Sequence, residues 1–260
     1  MSGDPSQPPG PILVVAPHQD DAALSCAALL ASAGPVDVLT VFTGLPDPPR
    51  TGWWDVECGF ADSGESVPLR NDEERRALEP VVRRLVLLGL LEAQHLDGER
   101  PEGDRGRLAD AVVEWAEREG PAATVAVPVG AGWQPGFVSA QLVRAGLMRN
   151  PGARPSPAHL YVRDVVLDAL AGRQARLLAY EELPYRWGGR GDREARSVAR
   201  ARGLDATPYA VEVDRRAKAE RIAVYASQIR HISPPAGRLD DPSVLPAEEC
   251  YWQLGSSVVR

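Results

Sequence analysis

An α/β fold, with a mostly parallel, doubly wound sheet and helices on both faces, is what the sequence predicts, and three observations lead to it. Short apolar runs of strand length recur, at PILVVAP (11–17), VDVLTVFTG (36–44), ATVAVPVG (123–130) and within QARLLAYEELPYRW (174–187). Stretches with helical spacing lie between them, and strand–helix–strand order implies parallel strands joined by right-handed crossovers. The 260 residues suit one large domain. Residues 12–260 are therefore expected as a single domain behind a loose Pro/Gly/Ser-rich arm at residues 1–11.

In chain order, PILVVAP reads as a buried strand and DDAALSCAALLASAG (20–34) as a helix with Asp20 or Asp21 near its start and Gly34 as its stop. VDVLTVFTG follows as a second strand closed by Gly44. Residues 45–69, rich in turn formers and aromatics, are too long for a simple connection, and loops of that length are usually functional or disordered. Residues 70–91 show helical periodicity with acids in the first turns and Pro80 as a break or kink. AQHLDG (93–98) reads as a short strand, 104–120 as a helix, and ATVAVPVG as a strand. Residues 131–157 form a turn-rich insertion around a short amphipathic helix, 156–172 a helix, and 174–187 a strand running into a loop. GDREARSVARARG (191–203) reads as a solvated polar stretch and 215–230 as a last helix.

Composition narrows the function classes. An apolar fraction of 44% and a charged fraction of 25% are ordinary for a globular protein. The net charge of −7, with arginines dispersed among acids, argues against a nucleic-acid binder, which needs a basic face. Small or neutral molecules are the expected partners. Cys26, Cys58 and Cys250 are far apart and form no CxxC, which fits a reducing cytoplasm and not a disulfide framework. The first residues lack a basic region followed by an apolar core, and no apolar run approaches about 18 residues. A soluble, cytoplasmic protein without a membrane partner is expected.

The residues that can do chemistry begin where the first strand ends, in APHQDDAALSC (16–26). In a doubly wound sheet the functional crevice lies beyond the carboxyl ends of the strands. His18 and Asp21, three apart on the turn into a helix, can converge on one point while Asp20 is turned aside. An imidazole and a carboxylate suit Zn²⁺, and a catalytic zinc needs three protein ligands with a position left for water. The other reading of the aspartates is as helix N-caps. One would serve as a cap, and a second beside it adds repulsion that a cap does not require.

APHQDDAALSC resembles the AHPDDE-type motif of the PIG-L/LmbE-like N-deacetylases, zinc amidohydrolases of Rossmann-like fold that remove acyl groups from amino sugars and related amines. Further segments are similar in order: VDVLTVFTG to the second strand, RNDEE (70–74) to the R-x-x-E-[DE] helix start, ATVAVPVGAG to the strand before the insertion, AHLYVRDVVLDAL to the second metal motif, and YEELPY to a signature of one branch. Together they span most of residues 12–230. The resemblance implies His18 and Asp21 as zinc ligands, Asp20 as general base, and a third ligand from an H-x-x-H motif. Setting that motif against WQPGF would put Gln134 and Phe137 at the histidine positions. Setting it against SPAH makes His159 the ligand, and the match of the following helix and of YEELPY favours this placement.

The chain departs from the family pattern at several positions. Ser156 stands where the first histidine of H-x-x-H assists the oxyanion or leaving amine, Ala158 replaces the acid beside the ligand, Ala22 the Glu after the paired aspartates, and Gln19 the usual Pro. Losing one such transition-state contact commonly costs about 10² to 10³ in rate. The resemblance further implies Arg70 as a substrate contact, since a guanidinium can bridge two oxygens. Trp53, Trp54 and Trp133 would rim the crevice with aromatic faces suited to sugar rings or acyl chains. Asp164 is a candidate to orient His159, five residues along the helix, and Glu181 and Glu182 either share that task or face water. The expected activity is metal-dependent hydrolysis of a small N-acyl substrate. The alternatives are a silent member that keeps the fold and binds a ligand, or a biosynthetic enzyme that uses the same polarised carbonyl for acyl transfer.

Overall fold

The computed structural model of the chain describes residues 10–130, 156–185, 191–234 and 237–255. The expected arm at 1–11 and the insertion at 131–157 fall mostly outside the described residues, and with them Trp133, Gln134 and Phe137. One seven-stranded sheet runs through the described chain in the order β3-β2-β1-β4-β5-β7-β6. Its strands are β1 Ile12–Ala16, β2 Val36–Thr40, β3 Arg84–Leu87, β4 Thr124–Pro128, β5 Arg176–Tyr180, β6 Asp205–Glu212 and β7 Glu248–Gly255. Strands β1 to β5 are mutually parallel, whereas β7 runs antiparallel to both β5 and β6.

The central strand shows why the sheet is covered by helices. All five residues of β1 are buried, and because side chains alternate along a strand, Ile12, Val14 and Ala16 join one apolar cluster and Leu13 and Val15 another. The first cluster includes residues of α1 (Asp21–Ser25), α2 (Ala27–Leu30), α4 (Ser63–Leu78), α8 (Arg215–Ile222) and α9 (Ala226–Ile232). The second takes in α5 (Glu102–Glu119), α6 (Pro157–Ala169) and α7 (Gly191–Ala201). A strand buried on both faces reads as a continuous apolar run, and ILVVA is one. Helix α3 (Trp53–Cys58) lies in the segment read as an irregular loop. Among the described residues, no helix is long and apolar enough to cross a membrane.

Several elements differ from the sequence expectation for identifiable reasons. The helix expected at 20–34 is two short helices broken at Cys26; the amide groups of Ala27 and Ala28 are accepted by the Glu249 carboxylate on β7, at 2.9 and 2.8 Å. Lys218 and Tyr251 complete that buried carboxylate's partners, each at 2.6 Å. The helix expected from Arg70 begins at Ser63, where Asp62 accepts the Gly64 amide, and it carries Pro68 in its second turn. It ends at Leu78, and the apolar run beyond Pro80 becomes β3 instead of more helix. Periodicity cannot separate a short apolar strand from a helix segment. AQHLDG forms a 3₁₀ turn at Ala93–His95, not a strand. Residues 191–201 form α7, whose Ala195, Val198 and Ala199 are buried, so this stretch is not wholly solvated.

A charged tie joins β2 to its neighbours at the sheet edge. Asp37 is buried, and its carboxylate accepts hydrogen bonds from Arg83 Nε (2.9 Å) and Nη2 (2.5 Å) and from Trp115 Nε1 (2.7 Å). Burial alone would raise the acid's pKa, but these donors outweigh it and hold Asp37 below the ordinary carboxylate range. Replacing Asp37 with Ala leaves the Trp115 N–H unpaired, and about 2–3 kcal/mol of unfolding free energy should be lost at pH 7 in urea denaturation. A group with a depressed folded pKa contributes stability that is present above its unfolded value of about 4 and lost as pH falls through the folded value. The gap between wild type and Asp37→Asn should therefore narrow on acidification below about pH 4.

Candidate metal centre

The strand order places the site. From β1 the chain builds outward through β2 and β3, then returns to lay β4 on the other side of β1, so the order reverses between β1 and β4. In open α/β sheets ligands bind beyond the carboxyl ends of the strands at such a point. The segments leaving β1, β2, β3, β4 and β5 and the first turn of α6 supply the residues found there.

Immediately after β1 the backbone turns sharply. Asp20 has φ 98°, the one positive φ at a non-glycine position among the described residues. Such a conformation costs on the order of 1–3 kcal/mol and persists only where the surroundings enforce it. Glu74 of α4 supplies that enforcement: it accepts the Asp20 amide at 3.2 Å, while Thr40 Oγ1 and Tyr225 Oη each donate to it at 2.6 Å. Gln19 is held in parallel by Asn71 Oδ1 at 2.7 Å. RNDEE thus buttresses the turn from the middle of α4. The Asp20 side chain makes no cap bond to α1, and Asp21 accepts the His18 amide at 2.8 Å, so the capping reading of the two aspartates finds no bond in its favour.

The turn brings Asp21 Oδ2 to 3.4 Å from His18 Nδ1, and α6 brings His159 Nε2 to 3.5 Å from the same oxygen. His18, Asp21 and His159 each offer a ligand atom, all within 4.8 Å of one another. Two imidazoles and one carboxylate form the donor set that suits Zn²⁺ or a similar divalent ion, and three protein ligands leave positions open. The rings of His18 and His159 lie 5.4 Å apart, with Phe42 beside His18 and Tyr185 nearly perpendicular to His159. His159, Asp21 and Glu182 are buried, whereas the His18 side chain keeps 21% of its surface and Glu92 20%, so the site opens on that side.

Acid dominates the electrostatics. Burial, then the neighbouring Asp21, push Asp20 well above the ordinary carboxylate range, with Arg70 and His18 opposing. Asp21 is also favoured by burial toward the neutral form, but His159 and His18 outweigh this and keep its pKa low. For His18, burial is outweighed by Glu92 and Asp21, which raise the imidazole to about 10; the same contact, against burial, draws Glu92 down to about 2.

The remaining residues singled out in the sequence divide. Arg70 sits where its charge acts on both Asp20 and Glu92, and its buried Nε meets no acceptor. Ser156 is the buried N-cap residue of α6, although its hydroxyl makes no cap bond. Trp54 is engaged by α9, donating Nε1 to Gln228 Oε1 at 2.6 Å. Asp164 is placed away from the role expected of it: its carboxylate takes Arg163 and Arg202, both at 2.9 Å, and His159 Nδ1 instead faces Glu182 at 3.2 Å. Five residues along a helix turn a side chain by about 500°, roughly 140° away from the starting face, which is why Asp164 diverges. Glu74, Glu92 and Tyr185 had no assigned role in the sequence reading. The signal for Glu92 was its place after an apolar run, legible only once that run is taken as β3.

No protein-family model matches the chain, and no curated protein matches it. Solved structures do. The zinc-inhibited form of the teicoplanin deacetylase Orf2 superposes with a TM-score of 0.68 at 19% identity, covering 96% of this chain and all of that one. Dbv21, a deacetylase of the A40926 pseudoaglycone, does so with a TM-score of 0.60 at 22% identity, over 96% and 98% of the two chains. GalB of Pseudomonas putida, a 4-carboxy-2-hydroxymuconate hydratase, follows at 0.54 and 13%, over 96% and 97%. At these identities the likeness shows a common fold, and a fold hosting both a deacetylase and a hydratase does not choose between chemistries.

The buttress under Asp20 is testable. Glu74→Ala orphans two hydroxyls and the Asp20 amide, and should cost about 2–4 kcal/mol in chemical denaturation.

Proposed function

We propose that the protein is a metal-dependent N-deacylase that removes an acetyl-like group from the nitrogen of an amino sugar or related small-molecule amide. The single observation that carries this reading is the convergence of His18, Asp21 and His159 beside Asp20, at the carboxyl ends of what we read as a doubly wound, Rossmann-like sheet. The deacetylase activity named for Orf2 and Dbv21, and the order of sequence motifs shared with PIG-L/LmbE-like enzymes, support the same choice.

A divalent metal held by the three ligands would supply Lewis-acid polarisation of the acyl carbonyl and acidify a water. Asp20 is the carboxylate left over by that ligand set. Its role is to take one proton from the attacking water at a carboxylate oxygen and return it to the amine nitrogen as the C–N bond breaks, so that amide and water become carboxylic acid and amine. The metal's positive charge opposes the burial and the Asp21 charge that push Asp20 toward its neutral form. Arg70, with an unused buried N–H and a charge that acts on Asp20, is the substrate contact. Ser156 occupies the position of a transition-state donor with a hydroxyl that the helix does not use.

Asp20→Asn should reduce kcat by about 10²- to 10⁴-fold on an N-acetyl amino sugar while zinc affinity, measured by chelator competition, changes little. His159→Ala should lose both. Because zinc inhibits the Orf2 neighbour, metal is best titrated up to and beyond one equivalent. Full activity in Asp20→Asn, or no bound metal in the wild type, refutes the proposal. If the hydroxyl of Ser156 limits the chemistry, Ser156→His should raise turnover about 10²- to 10³-fold. A wild-type protein that binds zinc and a sugar amide without turning it over is the outcome expected of a silent ligand-binding member, a reading that Ser156 favours.

A further inference from the structure

We infer that Glu92 and Glu182 are positioning residues that decide, one for each imidazole, which ring nitrogen is turned toward Asp21. The inference rests on the reading of His18, Asp21 and His159 as a metal site. The two histidines face Asp21 Oδ2 through unlike atoms, His18 through Nδ1 and His159 through Nε2. In each ring the opposite nitrogen meets a glutamate: His18 Nε2 lies 2.6 Å from Glu92 Oε2, and His159 Nδ1 lies 3.2 Å from Glu182 Oε1. In a neutral ring, the form that ligates a metal, an accepting oxygen puts the ring proton on the nitrogen beside it and leaves the other nitrogen's lone pair directed inward. Opposite tautomers are thereby imposed on two histidines that serve one centre.

Neither glutamate is free to turn. Glu182 is fully buried after β5, and its Oε1 also receives the Gly130 amide at 2.7 Å. That oxygen is therefore an acceptor, and Oε2 meets no donor. Gly130 holds φ +84°, and a Cβ there would come within 2.7 Å of Arg163 Nη1 and 2.8 Å of Leu160 Cδ2, so only glycine presents this amide without displacement. Glu92 is fixed at both ends of its short loop. Its Oε1 accepts the Ala93 amide at 2.9 Å, and three residues on, buried His95 is tied to buried Asp55 at 2.7 Å. Partners of this kind commonly govern 10- to 100-fold of metal affinity.

The test measures zinc affinity by competition with a chromophoric chelator, alongside ¹⁵N spectra of the histidine rings in the zinc-loaded protein. In the wild type the ring proton should sit on Nε2 of His18 and Nδ1 of His159. Glu92→Ala and Glu182→Leu should each weaken zinc by about 10- to 100-fold, and Glu182→Gln, which keeps an acceptor oxygen, should recover part of the loss. Glu92 is partly exposed, so its variant tests the idea even if Glu182→Leu does not fold. Zinc affinity within twofold of wild type in folded variants, or ring protons on the other nitrogens, overturns the inference. His159→Ala is the control that separates the failures. If it binds zinc as tightly as wild type, the metal site itself is misread; if it alone loses zinc, only the role of the glutamates falls.

Discussion

The left-handed turn at Asp20 is the constraint on which the rest of the site depends. A strand delivers alternate side chains to opposite faces, and a helix started directly from its end would carry His18 and Asp21 apart. The positive φ folds the chain back within three residues, so that Asp21 Oδ2 both accepts the amide of His18 and faces the two imidazoles. A non-glycine residue adopts this conformation only against a cost. That cost is offset by Glu74, whose carboxylate gathers Asp20, Thr40 and Tyr225 from three separate parts of the chain.

From that turn outward the site is a sequence of carboxylates with distinct tasks. Asp21 is central, Asp20 stands beside it without a ligand's place, Glu92 and Glu182 hold the outer ring nitrogens, and Glu74 supports the backbone. So many acids in a small buried volume repel one another, and His18, His159 and Arg70 offset this by favouring the charged forms of their neighbours. A dication would relieve the same repulsion more directly, which is a physical reason for the site to bind one.

The support behind the site is built from the same tactic of satisfying buried charge locally. Glu249 takes two helix amides, a lysine and a tyrosine, and ties β7 to α2 and α8, so that the antiparallel strands added at the sheet edge are locked to the second helix after the Asp20 turn. Breaking such a buried arrangement is costly because it leaves a charge unpaired, whereas forming it adds little net stability. Its contribution is to geometry.

The sequence by itself determined the parallel strands β1, β2, β4 and β5, because apolar runs between turn residues carry their own signal, and it pointed to His18, Asp20 and Asp21 through local spacing. The resemblance added His159, 138 residues beyond Asp21 in the numbering, which no local rule could pair with it. Tertiary structure alone decided the rest. Within the apolar run after Pro80, Arg84–Leu87 is strand because β2 offers it a parallel partner, and only then does Glu92 fall beyond a strand's carboxyl end. Strands β6 and β7 went unread because their burial is partial and depends on pairing with each other. Of the candidates read in the sequence to face His159, it is Glu182 just after β5 and not Asp164 of its own helix that lies against the ring, since hydrogen-bond partners are chosen by distance in space, which spacing along one helix reports only for residues three or four apart.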